Sequence, residues 1–371
     1  MATGHTNHHD VVVVGAGVIG LACAWRAAER GLRVLAIERD RPGAGASNVA
    51  AGMLAPVGEA TWGEDRLLEL ALASHRLWPS FAKELATAAG GELVYLDLGA
   101  LHVALDRDES AELRRRFELM RSLGLAAEWM RPRACRELEP GLGSVTAGVH
   151  APHEAAVDPR SLIGALEAAF EAAGGELEIA DVTGAVLEGG RIEGVRTADG
   201  REHRARTTVL AAGSWSAPEW LPAEAKPPIR PVKGQILTLR GPAGEPVCER
   251  ILVTERVYLV PRADGRLVVG ATVEEQGFDT RVTAGGVHEL LREAYRALPD
   301  VAELELVEAT AGLRPTTPDN LPLIGPAALE GLVLATGHFR NGILLAPITA
   351  ERIASLLASE TAAPAAEAVA R

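Results

Sequence analysis

The stretch "DVVVVGAGVIGLACAWRAAERGLRVLAIERD", which begins at Asp10, constrains the fold more than any other part of the chain. From Asp10 to Val14 the residues are almost all valine, the pattern of a parallel strand buried on both faces. Gly15, Gly17 and Gly20 complete a GxGxxG before a helix that Val18 and Ile19 open and that should run to about Arg30. The first glycine permits a tight turn, the second lets backbone approach a pyrophosphate, and the third lets helix and strand pack closely. The helix N-terminus then turns its unpaired N–H groups towards the phosphates. Gly31 stops the helix, and "RVLAIE" returns as a second parallel strand ending in Glu38, followed by Arg39. A carboxylate roughly twenty residues past the glycines is placed to accept hydrogen bonds from ribose hydroxyls, and it disfavours a 2′-phosphate. NADP is therefore not the expected ligand.

The fingerprint alone does not separate NAD from FAD. After Glu38 comes "RPGAGASNVAAGMLAP", a loop of small residues carrying Gly43, Gly45, Ser47, Gly52 and Met53. Such a loop lets backbone lie close against an extended, flat ligand.

At 371 residues the chain exceeds the size at which a single hydrophobic core stops growing, so two domains are expected. A net charge of −13 argues against nucleic acid, which needs a concentrated basic surface. The three cysteines, Cys23, Cys135 and Cys248, are far apart and odd in number. They fit neither a disulfide framework nor a zinc site, and read as small buried hydrophobes in a reducing cytosol. No metal site is expected. His5, His8 and His9 lie in a polar leader that reads as disordered, and no secretory signal or membrane span is visible, so the expected location is cytoplasmic.

Further on, helical periodicity runs from Glu64 to Ala89, and "GELVYLDLGALHVAL" reads as two short strands broken at Gly99. Asp158 is the expected N-cap of a helix starting near Pro159, and Asp199-Gly200 the turn of a hairpin. "TTVLAAG", ending at Gly213, matches "LVLATG" at 332–337. Both read as buried strands whose small final residues let a ligand lie against the backbone. The intervening "GQILTL", "RVYLVPRADGRLVVGAT" and "LELVEATAGLRPTTPDNLPLIG" read as antiparallel strands of a separate sheet. The fold class is α/β with an inserted α+β second domain.

Taken in order, "VVGAGVIGL…LAIERD", "AAGML", "VDP", "VLAAGSW", "VYLVPRADGRLVVGAT", "GLRPTTPDNLPLIG" and "GHFRNGILLAPITAERIA" resemble the D-amino acid oxidase superfamily of FAD flavoproteins. Within it the similarity is closest to the glycine oxidases of the thiamine pathway, and it covers nearly all of residues 10–358. The resemblance implies a glutathione-reductase-like Rossmann FAD domain interleaved with an antiparallel-sheet substrate domain. The FAD domain would take residues 9–82, 146–220 and 308–360, and the substrate domain 83–145 and 221–307, with disordered tails at 1–8 and 361–371. It further implies that Gly15, Gly17, Val18, Ile19, Gly20, Glu38 and Arg39 serve the adenosine and pyrophosphate. Ala46, Ser47, Ala51, Gly52, Met53 and Gly213 would lie beside the cofactor and Val182 near the adenine. His338, Phe339, Arg340, Asn341, Gly342, Ile343 and Leu344 would lie against the flavin ring and ribityl chain. Arg314 and Arg340 would hold the substrate carboxylate, with the Tyr258 hydroxyl and Met53 alongside. Ala46 and Asn48 depart from the hydroxyl residues frequent in relatives.

A planar guanidinium holds a carboxylate bidentately, which is what presenting an amino acid's Cα–H to a flavin requires. The implied reaction oxidises glycine, sarcosine or small D-amino acids to an imine, then to a 2-oxo acid and ammonia, with O2 reduced to hydrogen peroxide. The resemblance also implies non-covalent FAD, a homo-oligomer of tetrameric form, and handover of the imine to thiazole synthase. Three alternatives stand beside it. They are a D-amino acid dehydrogenase that reduces a membrane quinone, a non-catalytic FAD-binding subunit, and an NAD-dependent hydroxy-acid dehydrogenase. The acidic chain, the two arginines and the loop after Glu38 weigh against them in that order.

Overall fold

The computed structural model describes residues 9–241 and 246–362. Two large sheets share the chain. In the first, five parallel strands run side by side in the order Glu176–Ile179, Val34–Glu38, His9–Val14, Glu202–Leu210 and Leu332–Thr336. The hairpin Val182–Glu188/Arg191–Thr197 extends it from the start of Glu202–Leu210, and Leu323–Pro326 closes the far edge antiparallel to Leu332–Thr336. Successive side chains of a strand point to opposite faces. Val11 and Val13 accordingly pack under helices Val18–Glu29, Asp65–Ala89, Pro159–Ala172 and Gly342–Ala362. Val12 and Val14 pack on the other face with Ile192, Val195 and Leu221. The valine run is buried on both sides, as its composition predicts.

Helix Val18–Glu29 is buried on every side except its last residues, a core helix rather than an amphipathic one. The helix Gly342–Ala362 packs against it and contains Pro347. Proline removes one helical N–H and crowds the preceding turn, leaving carbonyls there without their usual partners. Ser74 inserts at that break: its hydroxyl donates to Leu344 O at 2.6 Å and accepts from Ile348 N at 3.4 Å, while Trp78 Nε1 also donates to Leu344 O at 2.9 Å. The repair fixes the helix start, and with it the residues that precede it. The segment Phe339–Ser359 is long and apolar enough to cross a membrane, yet here it is packed in the core beneath the sheet.

The second sheet has the order Glu305–Thr316, Arg230–Arg240, Arg266–Gly270, Tyr258–Pro261, Ile251–Val253, Ala100–Ala104, Ala147–Ala151, Glu128–Met130. Its pairs are antiparallel except Ile251–Val253 with Ala100–Ala104. Helix Ala284–Ala297 contributes to the core beneath it. A small third sheet pairs Met53–Leu54 and Tyr95–Asp97 with Ala155–Val157.

Several sequence expectations shift here. The "LPLI" strand belongs to the first sheet, not to the separate antiparallel one, because its pairing partner is Leu332–Thr336. Strands Ala147–Ala151 and Glu305–Thr316 pair in the second sheet, so its membership crosses the boundaries drawn at residues 146 and 308. Strand periodicity reports which face is buried and carries no information about which sheet supplies the partner. The glycine-rich loop contains a short helix, Ala46–Val49. His9 is buried at the start of the first strand, 3.6 Å from Glu176, rather than part of a free leader. The expected disordered tails 1–8 and 361–371 lie outside the described residues, apart from 361 and 362, which close the last helix. Asp158 and the Asp199-Gly200 turn stand as expected: Asp158 caps Pro159–Ala172 through the amides of Arg160 and Ser161. All three cysteines are buried and unpaired.

Candidate active site

A cavity of about 1130 Å³ runs from the first strand's glycine turn to the face of the second sheet. It exceeds the ~300–1,000 Å³ common for drug-sized ligands, and its elongated wall suits a dinucleotide. At one end the wall is mostly backbone. Gly15 has φ +102°, and a Cβ there would lie 2.7 Å from Ala211 O, so only glycine turns the chain at this point. Gly20 is tighter still, its would-be Cβ 1.8 Å from Gly15 O. Helix Val18–Glu29 has Gly17 at its N-cap, no side-chain cap and no acid in its first turn, which leaves its positive end open to an anion. The Glu38 carboxylate accepts from Ala16 N at 2.8 Å, and Ser47 Oγ from Val18 N at 3.0 Å, tying the second strand and the small-residue loop to the glycine turn. Arg39 lies 4.0 Å over the Trp215 ring. This cradle, whose turn only a glycine at 15 can make and whose helix has no acid in its first turn, fits a dinucleotide pyrophosphate.

At the other end, side chains make the wall. Arg314 and Tyr258 lie across the second sheet over glycines: a Cβ on Gly234 would meet the Arg314 guanidinium at 2.4 Å, and one on Gly270 the Tyr258 hydroxyl at 2.3 Å. Arg314 donates to Thr272 O at 3.1 Å and more loosely to Lys233 O at 3.4 Å, and it hydrogen-bonds Tyr258. Among the described residues no carboxylate pairs with it. Burial pushes the Tyr258 phenol up, opposed by Arg314, so it stays a neutral hydroxyl. Arg340 sits in the turn Phe339–Asn341 just past the Leu332–Thr336 strand. A bridge between Thr316 and His338 brings the Arg314 strand alongside that turn.

Arg340 is engaged: its Nε donates to Glu59 Oε2 at 2.9 Å, and Glu64 Oε2 lies 3.5 Å from its Nη2. His338 is buried, with Nε2 2.9 Å from Thr349 Oγ1, and burial lowers it to about 3, so the ring is neutral at physiological pH.

Of the residues expected from sequence, Gly15, Gly17, Val18, Ile19, Glu38, Arg39, Ala46, Ser47, Ala51, Gly52, Met53, Val182, Gly213, Tyr258, Arg314, His338, Phe339, Arg340, Gly342 and Ile343 all line this one cavity. Gly20, Asn341 and Leu344 do not. Gly20 is packed against the glycine turn, Asn341 is buried beside the 56–71 segment, and the Leu344 carbonyl is taken by Ser74 and Trp78. Two residues escaped the sequence reading. Glu59 lies in the cavity wall, 281 positions from its partner Arg340, with no local motif to mark it. Arg262, 4% exposed, donates through Nη2 to Ala51 O and approaches Asp158 at 3.9 Å. Burial pushes the Asp158 carboxyl up, but Arg262, Arg266 and the amide of Arg160 outweigh it and hold it below the usual range. One carboxylate thus caps a helix and anchors the two arginines of the 262–266 turn, one of which grips the loop beside Met53.

A glycine-cradled nucleotide end joined to a sheet-faced substrate end defines a dinucleotide-dependent oxidoreductase. Comparison with known proteins makes the class specific. The family model described as "DAO: FAD dependent oxidoreductase" matches residues 10–356, and the chain belongs to that family. FAD is its cofactor. The glycine oxidase of Geobacillus kaustophilus is 34% identical, over 95% of this chain and 93% of the relative. The bifunctional protein ThiO/ThiG of Trichormus variabilis is 38% identical over 96% of this chain, which spans 53% of that longer protein. The crystal structure of the G. kaustophilus glycine oxidase superposes with a TM-score of 0.89 at 33% identity, covering 95% of both chains.

Proposed function

We propose that this chain is an amine oxidase acting on glycine, and on sarcosine and small D-amino acids. The imine product would go on to a 2-oxo acid and ammonia, or methylamine from sarcosine, with O2 reduced to hydrogen peroxide. The observation that carries the reading is Arg314, a guanidinium on the cavity wall with no carboxylate partner among the described residues, beside the Tyr258 hydroxyl and near Arg340. An uncompensated guanidinium on a half-buried cavity wall calls for an anion from the ligand. A carboxylate meets it bidentately, with Tyr258 donating a third hydrogen bond. FAD supplies the two-electron acceptor when bound. The protein's residues supply position: a held carboxylate fixes Cα, and Gly52–Met53, gripped through Ala51 by Arg262, closes the wall beside it.

The same reading takes the FAD as non-covalently held, the active form as a cytoplasmic homo-oligomer, and the imine as the precursor that a thiazole synthase consumes in thiamine biosynthesis. The fused ThiO/ThiG relative supports that last link by its name. The division into an FAD domain and an inserted substrate domain belongs here too, supported by the two sheets. The test is a panel of amines given to the air-saturated holoenzyme, with peroxide and 2-oxo acid measured together. Equal yields of both from glycine, sarcosine or D-alanine support the reading. Amine-dependent bleaching without peroxide in air would point instead to a dehydrogenase with another electron acceptor.

A further inference from the structure

We propose that Glu59 takes the proton from the substrate's ammonium group, a role that rests on the amine-oxidase reading above. An amino acid in neutral water is a zwitterion. Its nitrogen has no lone pair, and the Cα–H cannot leave as hydride until one is available to form the C=N bond. Some group next to the carboxylate clamp has to remove a proton first. Glu59 is built into that place: it lines the cavity, its Oε2 is 2.9 Å from Arg340 Nε, and its charge is felt at Tyr258. Oε1 makes no hydrogen bond with a described residue. Two guanidiniums and a carboxylate lining one cavity complement a zwitterion, whereas a hydroxy acid would offer Glu59 Oε1 no ammonium group.

The step is a plain proton transfer. An N–H bond of the ammonium breaks, an O–H bond forms at Glu59 Oε1, and the electron pair stays on nitrogen, so that R–NH3⁺ and carboxylate become R–NH2 and carboxylic acid. Bound FAD would supply the acceptor for the hydride.

The local framework holds Glu59 firmly. The preceding residue, Gly58, donates its N–H to Glu154 Oε1, its carbonyl accepts from Arg116 Nη2, and any Cβ on it would run into the His102 ring. The titratable groups facing Glu59 are Arg340, with Glu64 behind it, Tyr258, Arg116 and Glu154, the last 3.6 Å from His102. Burial is the largest influence and pushes the Glu59 carboxyl up; Arg340 opposes it, Glu154 adds to it, and the outcome is a raised value. A carboxylate so placed is a stronger base than one in water.

The test is anaerobic mixing of the FAD-loaded enzyme with glycine, following flavin reduction as a function of pH, in the wild type, Glu59→Gln and Glu59→Asp. Glycolate binding, followed by the flavin spectrum, reports the carboxylate clamp separately because glycolate lacks the ammonium. The expected result is a Glu59→Gln reduction rate lowered on the order of 100-fold or more at neutral pH, rising about tenfold per pH unit towards the substrate's own ammonium pKa. Glycolate binding should be retained, and Glu59→Asp should restore much of the wild-type profile. A Glu59→Gln profile parallel to the wild type, whether at equal rate or uniformly lower with weakened glycolate binding, would overturn the proposal and leave Glu59 as a strut for Arg340. Failure of every amine to bleach the wild-type flavin would instead overturn the amine-oxidase reading itself.

Discussion

At the nucleotide end of the cavity the wall is backbone, drawn largely from one run of residues between Gly15 and Met53; at the substrate end it is the side chains of Glu59, Tyr258, Arg314 and Arg340, up to 281 positions apart. The first end binds by excluding Cβ atoms and aiming amides. The second binds by placing charge. A substitution at the first should therefore remove the cofactor, and one at the second should leave the cofactor and change turnover.

The largest effect is expected from Gly15→Ala. With φ +102° and a Cβ 2.7 Å from Ala211 O, the turn must open, and the purified protein should lose its visible flavin bands. Retention of full flavin after Gly15→Ala would break the comparison at its stronger side. Next comes Arg314→Leu. A hydrogen bond to a charged group contributes about 1.5–3 kcal/mol, so kcat/KM for glycine should fall on the order of 10- to 100-fold while flavin content stays at wild-type level. Loss of flavin from that variant would show that the two ends are not separable.

Between the ends lies the proline-containing helix, whose start carries Gly342 and Ile343 into the cavity wall. Ser74→Ala leaves Ile348 N without its partner and Leu344 O with only Trp78, and should destabilise the fold by about 1–3 kcal/mol in denaturant titrations. At neutral pH a smaller effect is expected from His338, whose influence emerges on acidification. Its folded pKa of about 3 lies below the unfolded value of 6.5, so on acidification the unfolded chain takes up a proton that the folded one does not. Its contribution is thus intact above about 6.5 and is lost as pH falls towards 3, with a slope of at most about 1.4 kcal/mol per pH unit. His338→Gln should flatten that part of the stability curve.

The same contrast explains what the sequence made legible. The glycines at 15, 17 and 20, the acid at 38, the Asp158 cap and the Asp199-Gly200 turn all signal through fixed local spacing, which one stretch of chain suffices to display. Arg314, Arg340 and Tyr258 became visible only through resemblance, since an arginine near a strand end has many uses. Glu59 and Arg262 were missed because their partners, Arg340 and Ala51, are brought to them by the fold. Leu344 reads as a flavin-side residue because an apolar helix start does not reveal that a proline three residues on redirects its carbonyl to Ser74 and Trp78. The Leu323–Pro326 strand reads like its neighbours in the other sheet, and only pairing separates it.

The central claim, a backbone cradle for FAD joined to a side-chain clamp for an amino acid, is tested most directly by a crystal structure of the holoenzyme with glycolate. The account predicts the pyrophosphate at the Gly15–Val18 turn and the glycolate carboxylate on Arg314, with the Tyr258 hydroxyl as a further donor. A carboxylate bound away from Arg314, or a pyrophosphate away from that helix N-terminus, would contradict it.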